Sequence, residues 1–239
     1  MFNLKNYHPA ITFLCLLIPT FSFSFTLRLR TSLLFLIIVV TLQCFVDVIC
    51  HYLQADNIYL GKFADIYALC LAKSDNLRDK QFFLEQIDFT LNRELADGEG
   101  PHQALAAYTN RSYQDIIEKG VWYPSADHYI KHMYFHFYEN GIAGALAAMS
   151  PCPWIYHQLA KKIIEENQFL NGNPFNNWIT FYANDTVEEL MENYFRMMDY
   201  YAQNLSKEKQ ADLVDAFVKS CQHERRFFQM AINQEKWED

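Results

Sequence analysis

Cys152 sits between two prolines in Ser150-Pro151-Cys152-Pro153-Trp154-Ile155-Tyr156, and the pattern reads as the opening of a helix. Proline suits the first helical turn, where a missing N–H costs nothing. A thiol at such an end faces unpaired N–H groups and the positive end of the helix dipole, which lowers its pKa and makes it a nucleophile. Tyr156, four residues on, shares its face and would wall a pocket. The same cysteine also reads as a small buried thiol packed among prolines. A second reactive candidate is Glu224 in Cys221-Gln222-His223-Glu224-Arg225-Arg226-Phe227-Phe228. On an apolar helix face its carboxyl is desolvated, its pKa rises, and it can serve as a general acid. On the opposite face it is a surface acid paired with Arg225 or Arg226.

Three further groupings bear on chemistry. Asp56 and Tyr59 are three apart, so they share a helix face. A buried Asp56 would need partners, whereas an exposed one would cap a helix starting at Asn57. His128, His132 and His136 recur at intervals of four, the spacing of a metal-binding helix face. The acids such sites require are misplaced, however. Tyr129 stands where a zinc protease has its Glu, and the single Glu-x-x-His, Glu99 to His102, is interrupted by Gly100 and Pro101. No metal is therefore expected. Trp178-Ile179-Thr180-Phe181-Tyr182 is an aromatic helix end that by itself reads as core.

The elements that carry these residues are helical. Among 239 residues there are only 7 Gly and 7 Pro, too few for the turns of an all-β fold. Apolar periodicity predicts helices from about 42 into the fifties, over 57–72, 80–97, 102–119, 125–149, 152–168, 175–182, 185–204 and 206–235. Turns fall at 74–76, 98–101 and 171–174. Ser125 and Ser206 are expected N-caps, and Asp185 with Glu188 resembles a capping box. The fold class is all-α, with one helical domain over 44–239. A net charge of −8 without a basic cluster beyond residue 30 excludes a nucleic-acid partner. Six cysteines without a C-x-x-C pair fit a reducing cytoplasm.

Residues 1–43 differ in kind. Their charges are Lys5, Arg28 and Arg30, and the run Leu33-Leu34-Phe35-Leu36-Ile37-Ile38-Val39-Val40 has no polar face. The apolar stretch within 11–49 reads as a membrane segment, a signal-like leader, a buried first helix or the product of a misassigned start.

From about residue 44 onward the chain resembles the TenA family, also called thiaminase II or aminopyrimidine aminohydrolase. The resemblance rests on five stretches in family order: Tyr52 to Leu60, Tyr129 with His132-Met133-Tyr134, Pro151 to Tyr156, Trp178-Ile179 with Tyr182, and Glu224 to Phe228 followed by Met230-Ala231 and Trp237. It implies a haem-oxygenase-like bundle, commonly tetrameric, that needs neither metal nor cofactor. It also implies roles. Cys152 would be the thiolate that adds to an aminopyrimidine ring, and Glu224 would shuttle protons to the leaving group and from water. Asp56 would hold the ring's amino group and nitrogen. Tyr59, Tyr129, Tyr156, Tyr182 and Phe227 would line and stack on the ring. The implied reaction is hydrolysis at the methylene of 4-amino-5-aminomethyl-2-methylpyrimidine, or of thiamine, to the hydroxymethyl product in thiamine-precursor salvage. Ala55, Phe228 and Ile232 depart from the Gln, Trp and Tyr usual in the family. Two other classes fit the residues without the resemblance: a non-catalytic helical pyrimidine-binding or regulatory protein, and a membrane-anchored interaction protein.

Overall fold

The computed structural model describes residues 45–95, 100–165 and 175–238. The apolar segment 1–43 lies outside the described residues, as do 96–99 and 166–174, on which the expected ends of the 80–97 and 152–168 helices, part of the expected turn at 98–101 and the expected loop at 171–174 fall. Among those described, the secondary structure is helical, as the composition predicts: α1 (Phe45–Lys73), α2 (Leu77–Phe89), a π-helical turn (Thr90–Glu94), α3 (Pro101–Ala107), α4 (Tyr113–Ile117), α5 (Pro124–Met149), α6 (Pro151–Glu165), α7 (Asn176–Tyr182), α8 (Thr186–Ala202) and α9 (Lys207–Ile232). No described helix is long and apolar enough to cross a membrane.

α1 corrects one expectation. The two helices predicted on either side of residue 57 are a single 29-residue helix. Nothing between Tyr52 and Leu60 breaks the backbone pattern, so Asp56 lies mid-helix and cannot be a cap. The helix ends where the Ser74 hydroxyl donates back to the Cys70 carbonyl at 2.9 Å. Its inner face buries Leu53, Tyr59, Phe63, Ile66 and Tyr67. The helix predicted over 102–119 is instead two, α3 and α4. Asn110 takes a positive φ of 57° between them, and Ser112 with Asp115 forms a capping box that starts α4.

α5 and α9 form the central pair of the bundle, with α8 also on α5, α6 on α9, and α7 between α6 and α3. Ser206 caps α9 as expected, accepting from the Lys209 N–H at 3.2 Å. Ser125 does not cap α5. Tyr123 holds that position with Pro124 in the first turn, and Ser125 donates its N–H and hydroxyl to the Glu235 carboxylate, both at 2.9 Å. The contact ties the far end of the chain to the start of α5. Asp185 likewise makes no side-chain cap, since its backbone is helical rather than extended, and Glu188 pairs instead with Lys161 at 2.9 Å.

Gly141 sets the course of α5. Its φ of 62° and ψ of −146° lie where only glycine is comfortable, and the helix kinks there. Beyond the kink Gly144 packs so closely on the preceding turn that a Cβ would sit 2.0 Å from the His136 carbonyl oxygen. The stretch Ile142–Met149 is thereby sunk into the core and delivers the chain to Ser150, which is wholly buried.

Candidate active site

Four helices bring the reactive residues together. Asp56 and Tyr59 come from α1, Tyr129 from α5, Cys152 and Tyr156 from α6, and Glu224 and Phe227 from α9. Tyr182, at the end of α7, closes the far side. Cys152 keeps some solvent access; the other seven are buried.

Their rings form two connected groups. Tyr59 lies 5.5 Å from Tyr129 and 5.1 Å from Phe227, centroid to centroid. Tyr156 lies 5.0 Å from Tyr182, 5.4 Å from Trp178 and 5.5 Å from Phe228. Tyr52 joins the groups, at 6.1 Å from both Phe227 and Phe228 and with its hydroxyl 3.5 Å from that of Tyr156. Offset and edge-on ring pairs each contribute about 0.5–1.5 kcal/mol beyond area burial.

Inside these walls the polar groups are crowded. The Glu224 carboxyl faces the Cys152 thiol and the Tyr129 hydroxyl, and Tyr59 faces the same thiol. Burial pushes the Glu224 carboxyl up to about 8; the nearby hydroxyl and thiol moderate the shift, and the Asp56 charge adds to it. Glu224 is thus the buried acid of its two sequence readings, not the surface ion pair, while Arg225 and Arg226 are exposed. One carboxyl oxygen of Glu224 and the hydroxyls of Tyr59 and Tyr129 make no hydrogen bond within the protein. Buried polar atoms are nearly always satisfied. These three atoms lie around a single thiol.

The thiol corrects a second expectation. Its pKa is raised well above the ordinary value, first by desolvation and then by the Glu224 charge, with Tyr59 opposing. The helix-dipole argument fails for a structural reason. Ser150 keeps right-handed helical angles and bonds back to the Leu146 carbonyl at 2.9 Å, so α5 ends one residue before α6 begins. The negative end of one dipole abuts the positive end of the next. Burial decides the balance, and Glu224, Glu94 and Asp56 add to it.

Two residues of this neighbourhood were not singled out from the sequence for the site. His102 approaches Asp56 with Nε2 2.6 Å from Oδ2, and its Nδ1 lies 3.0 Å from the Glu94 carbonyl oxygen. The Glu94 side chain accepts from the Tyr182 hydroxyl at 2.6 Å. Burial pushes Glu94 up to about 7, against the Tyr182 hydrogen bond. The sequence offers no spacing signal for either residue; Glu99–His102 appears there only as an interrupted pair.

The histidine series lies along the α5–α9 seam. His132 Nε2 sits 3.0 Å from the Ser220 hydroxyl and 3.2 Å from the Ala216 carbonyl, and His223 stacks on Tyr129 at 5.1 Å. Burial, with neighbouring histidines adding to it, holds His132 down at about 4 and His223 at about 3. Among the described residues no group of three or more His, Cys, Asp or Glu side chains is arranged to hold a metal ion.

Known proteins resemble this chain in sequence or in fold. The chain is 39% identical over 194 residues to the aminopyrimidine aminohydrolase of Staphylococcus aureus strain MRSA252, covering 80% of this chain and 82% of that one. It is 38% identical over 187 residues to the Staphylococcus saprophyticus protein of the same name, covering 78% and 80%. Among solved structures, a TenA family transcription regulator from Silicibacter sp. TM1040 superposes with a TM-score of 0.65 at 20% identity, covering 77% of this chain and 81% of that one. A TenA homologue from P. horikoshii OT3 gives 0.62 at 17%, covering 86% and 96%. These two show the shared fold. Residues 44–234 match the TENA/THI-4/PQQC family, and the chain belongs to it.

Proposed function

We propose that the protein is an aminopyrimidine aminohydrolase of the thiaminase II type. It hydrolyses 4-amino-5-aminomethyl-2-methylpyrimidine to the 5-hydroxymethyl compound and ammonia, and it accepts thiamine as a second substrate that releases the thiazole. The observation that carries this reading is the meeting of the Cys152 thiol and the protonated Glu224 carboxyl inside aromatic walls, with a buried carboxyl from Asp56 in the same neighbourhood.

The chemistry follows from the groups present. An electron-poor aminopyrimidine stacks on Tyr and Phe rings. Asp56 pairs with its amino group and the adjacent ring nitrogen. The thiol sulfur then bonds to the unsubstituted ring carbon while its proton passes to a ring nitrogen, so the ring is reduced in aromaticity but carries no net new charge. Electron density from the dearomatised ring expels the amine from the methylene. Glu224, held protonated near neutrality, donates to that leaving nitrogen and becomes a carboxylate. It next takes a proton from water as the water oxygen bonds to the exocyclic methylene. Loss of the ring proton and expulsion of the sulfur restore the aromatic product and the thiol. Tyr59, beside the sulfur, stabilises its charge as the thiol proton departs.

The raised thiol pKa fits this order of events, because a thiol that ionises only against a bound ring is protected from side reactions. A tetrameric assembly in the cytoplasm completes the proposal. It is supported by the family resemblance and by Cys50, Cys70 and Cys152 being thiols rather than disulfides. Light scattering on the purified chain checks the assembly. For the activity, the full-length protein is incubated with the aminomethylpyrimidine and, separately, with thiamine, and the hydroxymethyl product is quantified by chromatography. Turnover of the first is expected to exceed that of the second. No turnover of either by the folded protein would contradict the reading.

A further inference from the structure

We infer that His102 and Glu94 are positioning residues of this site: the Glu94 backbone carbonyl aims His102, His102 aims the Asp56 carboxyl, and the Glu94 carboxyl aims the Tyr182 hydroxyl. The inference rests on the aminopyrimidine reading and extends it to two residues beyond the family stretches in the sequence.

The geometry assigns the protons. A carbonyl oxygen can only accept, so His102 Nδ1, 3.0 Å from the Glu94 oxygen, carries a hydrogen. The 2.6 Å contact between His102 Nε2 and Asp56 Oδ2 also needs a proton between its atoms, since two bare lone pairs would repel. The imidazole is therefore held at both nitrogens, and both it and Asp56 are almost wholly buried. The ring is also held from its faces. Tyr52 lies nearly parallel to it at 6.4 Å, and Tyr113 lies at 5.9 Å. The groups facing His102 are Asp56 and Tyr52 of α1, Glu94 of the π-helical turn and Tyr113 of α4. Burial disfavours its charged form, but the Asp56 hydrogen bond and charge, followed by Glu94, outweigh that and raise its pKa.

The π-helical turn explains how Glu94 serves two partners. Leu95 N–H bonds to the Thr90 carbonyl at 3.2 Å, five residues back, and the turn ends there. Carbonyls in a last turn lack helical partners, and that of Glu94 receives His102. Its side chain is left to reach Tyr182 on α7. One short irregular turn thus fixes two groups, the Asp56 carboxyl through His102 and the Tyr182 hydroxyl directly. π-Helical turns recur at functional sites for this reason.

A carboxyl pinned at one oxygen presents a fixed plane to a ligand that offers an amino group beside a ring nitrogen. Without His102, Asp56 would be a buried carboxyl free to rotate. Recognition of the ring should therefore follow the protonated state of His102. It should weaken as pH rises through the His102 titration, where the proton shared with Asp56 is lost.

The test uses the full-length protein and the hydroxymethyl product, 4-amino-5-hydroxymethyl-2-methylpyrimidine, as binding probe. Calorimetric titration across pH is expected to show weakening at high pH in the wild type. In H102L binding should fall about tenfold or more, the size of one lost charge-assisted hydrogen bond. H102Q keeps an uncharged N–H donor, so it should recover part of the affinity and lose the pH dependence. E94Q keeps an acceptor for Tyr182 and should bind more tightly than E94A. Nitrogen NMR of histidine-labelled, ligand-free protein should find both His102 nitrogens protonated at pH 7. A bare Nε2 at that pH would overturn the inference, as would H102L binding as tightly as the wild type. If the wild type itself does not bind the probe, the aminopyrimidine reading fails first and takes the inference with it.

Discussion

The Glu224 carboxyl on α9 and the Cys152 thiol on α6, 72 positions apart in the chain, face each other in the interior: the acid's charge raises the thiol's pKa, and the thiol's hydrogen bond lowers the acid's. Removing the acid should therefore expose the thiol's reactivity. In the ligand-free wild type, alkylation of Cys152 by iodoacetamide should be slower at pH 7.5 than for an ordinary thiol. In E224Q, which loses the acid's charge, the alkylation-versus-pH curve should move to lower pH. Peptide mass spectrometry assigns the site. A Cys152 that alkylates fastest near neutrality in the wild type would contradict the raised pKa.

Glu224 also links stability to pH. Its folded pKa, about 8, is raised above an ordinary carboxyl, so the folded state holds a proton that the unfolded chain gives up. That contribution is fully present below the unfolded value of about 4.3 and is lost as pH rises through the folded value. Glu94, raised to about 7, adds a loss of the same sign. The melting temperature should fall between pH 5 and pH 8.5, and E224Q should flatten the upper part of that fall while losing turnover by about 10²–10⁴-fold. Melting curves that rise over this range would refute the assignment.

The kink in α5 is predicted to tolerate little. Gly141→Ala places a Cβ on a backbone that side chains rarely adopt, and a cost of about 1–3 kcal/mol is expected. Gly144→Ala should cost more, because its Cβ would meet backbone, which cannot move aside as a flexible side chain can. Urea unfolding measures both, and a neutral Gly144→Ala would show that α5 does not kink as described.

Phe227 is 2% exposed and touches both Tyr59 and Tyr52. Phe227→Ala should destabilise by about 3–5 kcal/mol through the cavity it leaves. Phe227→Leu should keep most of the stability yet raise KM for the aminopyrimidine, because a flat wall is lost. Equal KM values for Phe227→Leu and the wild type would remove the residue from the ring-binding surface.

Much of this arrangement is legible in the sequence, and what is not has identifiable causes. Helix type follows from apolar spacing, whereas Glu224 fits both a buried face with Phe227 and a surface pair with Arg225 or Arg226, and only the packing of α9 decides for the former. The fate of Asp56 was undecidable locally, since a polar residue before Asn57 suits both a cap and a buried site; the uninterrupted α1 resolves it. The thiol shift runs against the local dipole because burial, and acids arriving from other helices, exist only in the folded chain. His102 and Glu94 meet Asp56 and Tyr182 only after folding, through an irregular turn that no periodicity announces. Ser125 had the right chemistry for a cap, but Glu235, 110 residues away, claims its donors.

The most direct measurement is ammonia release from 4-amino-5-aminomethyl-2-methylpyrimidine by the full-length protein beside its Cys152→Ser variant, with both melting curves recorded. The account predicts steady release by the wild type, a loss of about 10³-fold or more in the variant, as expected when a covalent nucleophile is removed, and closely similar melting temperatures. A folded serine variant that releases ammonia as fast as the wild type would contradict it.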